Sequence, residues 1–106
     1  VNLDTAGPYA RRGIGSRLLR AFERSCAARG FRRIGVGSAD DPKVEAFYRK
    51  NGYVPVEIVA KDAECRELGR VKIPAEEAER ADERREALRR KTGAAEVNII
   101  FGKELA

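Results

Sequence analysis

An α/β fold (equally an α+β one), a mixed sheet with flanking helices, is what this sequence predicts, and three observations carry the prediction. Apolar residues recur at four-residue spacing over Ile14, Leu18, Phe22 and Cys26, with Leu19 beside them, the period of a helix with one buried face. Glycines stand where helical segments should stop, at Gly30, Gly52 and Gly93. Short apolar runs follow, and in the last of them Val97, Ile99 and Phe101 alternate with Asn98 and Ile100, the period of a strand. With 106 residues, the chain has room for one domain, 1–106.

Each element can be justified in order. Residues 1–5 read as a short extended segment. Residues 13–29 form the first helix, ended by Gly30, and residues 31–37 form a short strand carrying Ile34 and Val36. This strand–helix–strand unit predicts two parallel strands. Asp41 or Asp40 caps the next helix, with Pro42 in its first turn, and Gly52 stops it. Val44, Phe47 and Tyr48 share one of its faces. Residues 53–60 read as a strand broken early by Pro55. Residues 61–73 show no clear pattern beyond an extended Val71-Lys72-Ile73. Residues 74–91 form a third helix, acidic in its first half and basic in its second, an order that complements the helix dipole. Its arginines read as a solvated face, held to the core by Ala78, Ala81 and Leu88. The alternative is a surface for a partner or an anionic substrate. Residues 95–105 form the closing strand.

Composition narrows the function classes. No apolar run approaches the length of a bilayer span, so no membrane role is expected. Neither a basic segment nor an apolar block marks a signal peptide at the N-terminus. Cys26 and Cys65 have no metal-ligand spacing and there is no histidine, so no metal site is expected. Cys26, on the apolar face of the first helix, reads as a packing residue. Together the two cysteines point to a reducing cytoplasm. Charged residues make up 37% of the chain, with a formal net charge of +5, which suits an anionic ligand. Abundant Glu and Arg with no Met, Trp or Gln hint at a thermophilic source, although GC-rich coding gives a similar bias. A basic nucleic-acid-binding domain is disfavoured, because exposed aromatics do not interleave with the basic residues and no binding motif is present.

The stretch Tyr9-Ala10-Arg11-Arg12-Gly13-Ile14-Gly15-Ser16-Arg17 carries chemistry. Two glycines one residue apart, opening a helix, let backbone N–H groups converge on an anion, and two arginines sit directly before them. The plain alternative is a tight turn. A second element follows at Asp41-Pro42-Lys43-Val44-Glu45-Ala46-Phe47-Tyr48-Arg49-Lys50-Asn51-Gly52-Tyr53.

Together these elements resemble the GNAT superfamily of acetyl-CoA-dependent N-acyltransferases. The first resembles its Gln/Arg-x-x-Gly-x-Gly/Ala segment, which holds the coenzyme A pyrophosphate on backbone amides. The second resembles its Asn-x-x-Ala-x-x-Phe-Tyr-x-x-x-Gly-Phe segment. The likeness covers residues 1–60, the expected acyl-CoA-binding core, and extends to the closing strand within 61–106. Three positions depart from the pattern. Ala10 falls on the Gln/Arg position, Asp41 on the Asn and Val44 where a small residue is common. A carboxylate at Asp41 cannot donate to the pantetheine arm as an amide can.

The resemblance implies an N-acetyltransferase that moves an acetyl group from acetyl-CoA to a primary amine, of a small molecule or a protein N-terminus or lysine. It implies pyrophosphate binding at Arg11, Arg12, Gly13, Ile14, Gly15 and Ser16, with the Ser16 hydroxyl and the Arg17 side chain as further donors. It places Leu3, Asp4 and Thr5 beside the pantetheine arm, with the Thr5 amide as donor to the thioester oxygen. Asp41, Phe47 and Tyr48 complete the coenzyme site. Tyr48 is the implied acid toward the leaving thiolate. A thiol titrates near 8.5 and a tyrosine near 10, so that transfer is uphill by about 2 kcal/mol and hydrogen bonding is the expected contribution. The competing role for Tyr48 is an aromatic core residue beside Phe47. No general base is assigned, and Asp4 is the only acid near the expected reaction centre. The alternative function is a catalytically silent GNAT-like module that binds coenzyme A or a protein partner. The family fold has strands and helices ahead of the position of Val1. The chain is therefore expected to be a piece of a longer protein or to form a homodimer.

Overall fold

The computed structural model describes residues 14–105. In chain order it contains helix α1 (Ile14–Ala28), strand β1 (Arg33–Gly37), helix α2 (Pro42–Lys50), strands β2 (Val54–Lys61) and β3 (Glu67–Lys72), a 3-10 helix (Ala75–Arg80), helix α3 (Ala81–Thr92) and strand β4 (Glu96–Glu104). The strands are hydrogen-bonded in the order β1-β4-β2-β3. β2 runs antiparallel to both β3 and β4. This is the mixed α/β composition the sequence predicts. The extended segment over 1–5, and with it the predicted parallel pairing, lies outside the described residues. The chain divides into two compact units, residues 1–36 with 103–106 and residues 37–102.

In the first unit, α1 is amphipathic, but its buried stripe is rotated from the one the spacing predicts. Leu19 is fully buried, while Leu18 is 51% exposed. Phe22 and Cys26 are half-buried. The buried position one turn after Leu19 is Glu23, an acid. It is tolerated there because Lys103 Nζ donates to both its carboxylate oxygens at 3.1 and 3.2 Å, and Arg20 lies 3.5 Å away. A charged residue in the middle of the stripe breaks the apolar period that reveals such a face. Gly30 ends the helix with φ +90°, and the Phe31 N–H reaches back to the Cys26 carbonyl at 3.0 Å. Ile34 and Val36 of β1 are buried. The Leu105 N–H donates to the Arg32 carbonyl at 2.8 Å.

The second unit is a three-stranded antiparallel sheet, β4-β2-β3, with α2 and α3. Pro55 sits inside β2 without ending it. The register against β4 shifts between Pro55 and Glu57, leaving Val56 as the extra residue of a bulge. The Val56 carbonyl accepts from the Ile73 N–H instead. The unpatterned stretch 61–73 is a β-hairpin partner, β3. Its turn is tied by Asp62, whose Oδ1 accepts from the Glu64 and Arg66 N–H groups, each at 2.9 Å. The helix predicted over 74–91 is two pieces, because Arg80 leaves helical backbone at φ −97°, ψ 12°. Only Ala81 and Leu88 then reach the core. That core comprises Tyr48, Tyr53, Ile58, Val59, Ala60, Ile73, Val97, Ile99 and Phe101 as well.

Candidate active site

The first expected element lies at the start of α1. Leu3, Asp4, Thr5, Arg11, Arg12 and Gly13 are outside the described residues. The helix begins at Ile14, so the second glycine, Gly15, and Ser16 occupy its first turn, with Gly15 buried, Ser16 half-buried and Arg17 exposed. That turn contains no acidic residue. The first turns of α2, the 3-10 helix and α3 all carry carboxylates, at Glu45, Glu76 and Glu77, and Asp82 and Glu83. Carboxylates normally offset the positive end of the helix dipole, and the described first turn of α1 carries none.

The second element is α2 with its flanking turns. Asp41 is the N-cap, and its Oδ1 accepts from the Lys43 N–H at 2.9 Å. Pro42 follows in the first turn, where its missing N–H costs nothing. At the other end Gly52 takes φ +88°, and the Tyr53 N–H bonds the Tyr48 carbonyl at 3.0 Å. This stop folds Tyr53 back under the helix, where it is 1% exposed. The Asn-to-Asp departure therefore has a local role, since either side chain caps a helix.

Tyr48 is buried and lies in an aromatic cluster. Its ring centroid is 5.7 Å from Phe47, 5.6 Å from Tyr53 and 5.8 Å from Phe101. The Arg49 guanidinium lies over the Phe101 ring at 5.4 Å. Burial raises the Tyr48 phenol above its ordinary value. Full proton delivery to a thiolate is then even less favourable than for a free tyrosine. A neutral phenol held at high pH remains a hydrogen-bond donor. Phe47 is half-buried beside it.

One part of this region is not apparent from the sequence. The turn between β1 and α2 places Ala39 and Asp40 in the left-handed region, at φ +54° and +56°. Such backbone costs about 1–2 kcal/mol per non-glycine residue. It is held from several sides. Ser38 is fully buried, exchanging bonds with Ile99 through N–H to carbonyl at 3.0 Å and through Oγ accepting from the Ile99 N–H at 3.1 Å. Arg89 Nη2 donates to the Asp40 carboxylate at 3.0 and 3.3 Å, and the Val97 N–H donates to it at 3.3 Å. The bond to Asp40 raises the Arg89 guanidinium above its ordinary value. Arg85 donates to Glu45, which is 2% exposed, and to Asp82, and lies 3.5 Å from Asp40. The basic half of α3 is thus partly turned inward, at Arg85 and Arg89, rather than wholly solvated. Their i, i+4 spacing on one helix face was the available signal.

Among the described residues no group of three His, Cys, Asp or Glu side chains comes together to hold a metal ion, and no helix is long and apolar enough to cross a membrane. Both cysteines are free thiols, Cys26 half-buried and Cys65 exposed. The acetyltransferase (GNAT) family model matches residues 3–53. The match begins ahead of the Gly-x-Gly segment and ends at Tyr53, so it takes in both elements. The match supports membership of the GNAT superfamily and a function of the acetyltransferase type. No curated protein and no solved structure gives a significant match.

Proposed function

We propose that this chain is an N-acetyltransferase that moves the acetyl group of acetyl-CoA to a primary amine, on a small molecule or on a protein N-terminus or lysine. The observation that carries the proposal is the span of the family match, which covers the anion-binding turn and the Tyr48 helix together. The carboxylate-free first turn of α1 supports it independently.

In this reading the backbone amides of Arg12, Gly13, Ile14, Gly15 and Ser16 bind the pyrophosphate, and Arg11, Arg12 and Arg17 offset its charge. Leu3, Asp4 and Thr5 line the pantetheine arm, together with Asp41, Phe47 and Tyr48. The amine nitrogen attacks the thioester carbonyl carbon. A C–N bond forms as the C–S bond breaks. The carbonyl oxygen takes a hydrogen bond from the Thr5 N–H, and Tyr48 donates to the departing sulfur. The amine gives up its proton, and the thiolate gains one from solvent. The reaction needs no metal. We place the protein in the cytoplasm, where its free thiols persist. Leu18 and Phe31, both largely exposed in the first unit, supply apolar surface for a second copy, and light scattering at micromolar concentration tests that dimer.

A second reading is a coenzyme-binding module without turnover, favoured by Asp41, a carboxylate already used as a helix cap. Incubation with acetyl-CoA and a panel of amines, following thiol release, separates the two. Release that depends on an amine supports the enzyme. Binding of coenzyme A with no release supports the silent module.

A further inference from the structure

We propose that Arg85, assisted by Arg89, is a positioning residue: from α3 it fixes the β1–α2 turn and the pitch of α2, and so aims the Tyr48 hydroxyl at the leaving sulfur. The inference rests on the acetyl-transfer reading. It concerns only residues of the second unit.

Three observations carry it. First, Arg85 is the hub of a charge cluster that joins α2 to α3. Its side chain is 12% exposed and pairs with Glu45, Asp82 and Asp40, while its Nε is buried with no partner. A guanidinium held in so many directions, at the cost of one unpartnered N–H, defines geometry more than it gains energy. Buried ion pairs are often no more stable than apolar replacements of similar volume.

Second, Glu45 and Tyr48 stand three residues apart on α2, one turn along the same side. Holding the Glu45 carboxylate against α3 therefore restricts rotation of α2 about its axis. That rotation would sweep the Tyr48 hydroxyl sideways. The rings of Tyr53 and Phe101, with centroids 5.6 and 5.8 Å from that of Tyr48, fix how deep Tyr48 sits. The aromatic cluster sets depth and the ion pair sets angle.

Third, the turn that leads into α2 is strained at two successive residues, Ala39 and Asp40. Strained backbone persists where its surroundings over-determine it. Here the determinants are Arg89 and the Val97 N–H, both bonded to Asp40. Both arginines of α3 thus act on the same short segment, one at the turn and one at the first helical turn.

The test is a comparison of stability with turnover. The double variant Glu45→Leu/Arg85→Met removes both charges together and keeps the volume. It should melt within about 5 °C of the parent, since neither charge is left buried alone. Its kcat should fall about 5-fold or more, with KM for acetyl-CoA within about 2-fold, because a displaced Tyr48 weakens an interaction made only in the transition state. A double variant with parental kcat would overturn the proposal. Should that variant fail to fold, Asp40→Asn serves. Asparagine accepts the left-handed backbone and keeps the size, while the charge facing Arg85 and Arg89 is lost. It should lower kcat about 3-fold or more with KM unchanged, and unaltered kcat again overturns the proposal. If the parent itself releases no thiol, the acetyl-transfer reading fails and takes this inference with it. If the parent turns over and the variants match it, this inference alone fails.

Discussion

Replacing Tyr48 with Phe removes one oxygen and keeps the ring. The ring is the part packed against Phe47, Tyr53 and Phe101, so the core is preserved. Stability should change by no more than about 1 kcal/mol, a few degrees in Tm for a domain of this size. Turnover should respond differently. A phenol whose pKa is raised by burial is a poor proton source but a competent donor, so the loss is that of one hydrogen bond to a developing thiolate. Hydrogen bonds to charged groups contribute about 1.5–3 kcal/mol, which is about 10- to 150-fold in kcat. Affinity for coenzyme A should stay nearly constant, because the bond forms only as the sulfur gains charge. Steady-state thiol release, with a calorimetric titration of coenzyme A alongside, measures both quantities. A kcat within 2-fold of the parent would return Tyr48 to a packing role. A loss beyond about 10,000-fold would mean full proton transfer by Tyr48, which its buried, raised pKa opposes.

Other perturbations have equally defined outcomes. Gly15→Val places a branched side chain at a buried position in the first turn of α1 and should weaken coenzyme A binding by at least about 10-fold by calorimetry; parental affinity would move the anion site elsewhere. Asp41→Ala should cost about 1 kcal/mol in chemical denaturation through the lost cap, whereas Asp41→Asn should leave stability unchanged and lower KM for acetyl-CoA by supplying an amide donor. Burial raises the Tyr48 pKa above its unfolded value of about 10, so the associated stability is complete below pH 10 and is lost as pH rises through the folded value. Thermal midpoints between pH 8 and 11 should therefore fall less steeply in Tyr48→Phe than in the parent.

The parts of the fold that were legible in the sequence share a cause. α2 is bounded by Pro42 and Gly52, β4 repeats apolar residues at every second position over Val97, Ile99 and Phe101, and glycines mark where chain direction changes. β3 was not legible because it is held by a ladder to β2 rather than by a buried face. Most of its residues are exposed, and backbone hydrogen bonds leave no residue pattern. The buried stripe of α1 was misplaced because Glu23 occupies it, and its partner Lys103 lies 80 residues away. The candidate site divides the same way. The Gly-x-Gly segment and the Phe47-Tyr48 pair are local motifs. The pairs that hold α2 to α3, Glu45 with Arg85 and Asp40 with Arg89, span 40 and 49 residues. Ion pairing across such a distance has no period, and only the fold brings the partners together.

The proposed function requires a coenzyme held by its pyrophosphate at the start of α1. Calorimetric titration of the parent protein with acetyl-CoA and, separately, with S-acetylpantetheine, which lacks the pyrophosphate, tests this directly. Acetyl-CoA should bind one-to-one, and S-acetylpantetheine at least about 100-fold more weakly, as expected when charge-assisted bonds to the diphosphate are removed. Equal affinity for the two, or no binding of acetyl-CoA, would contradict it.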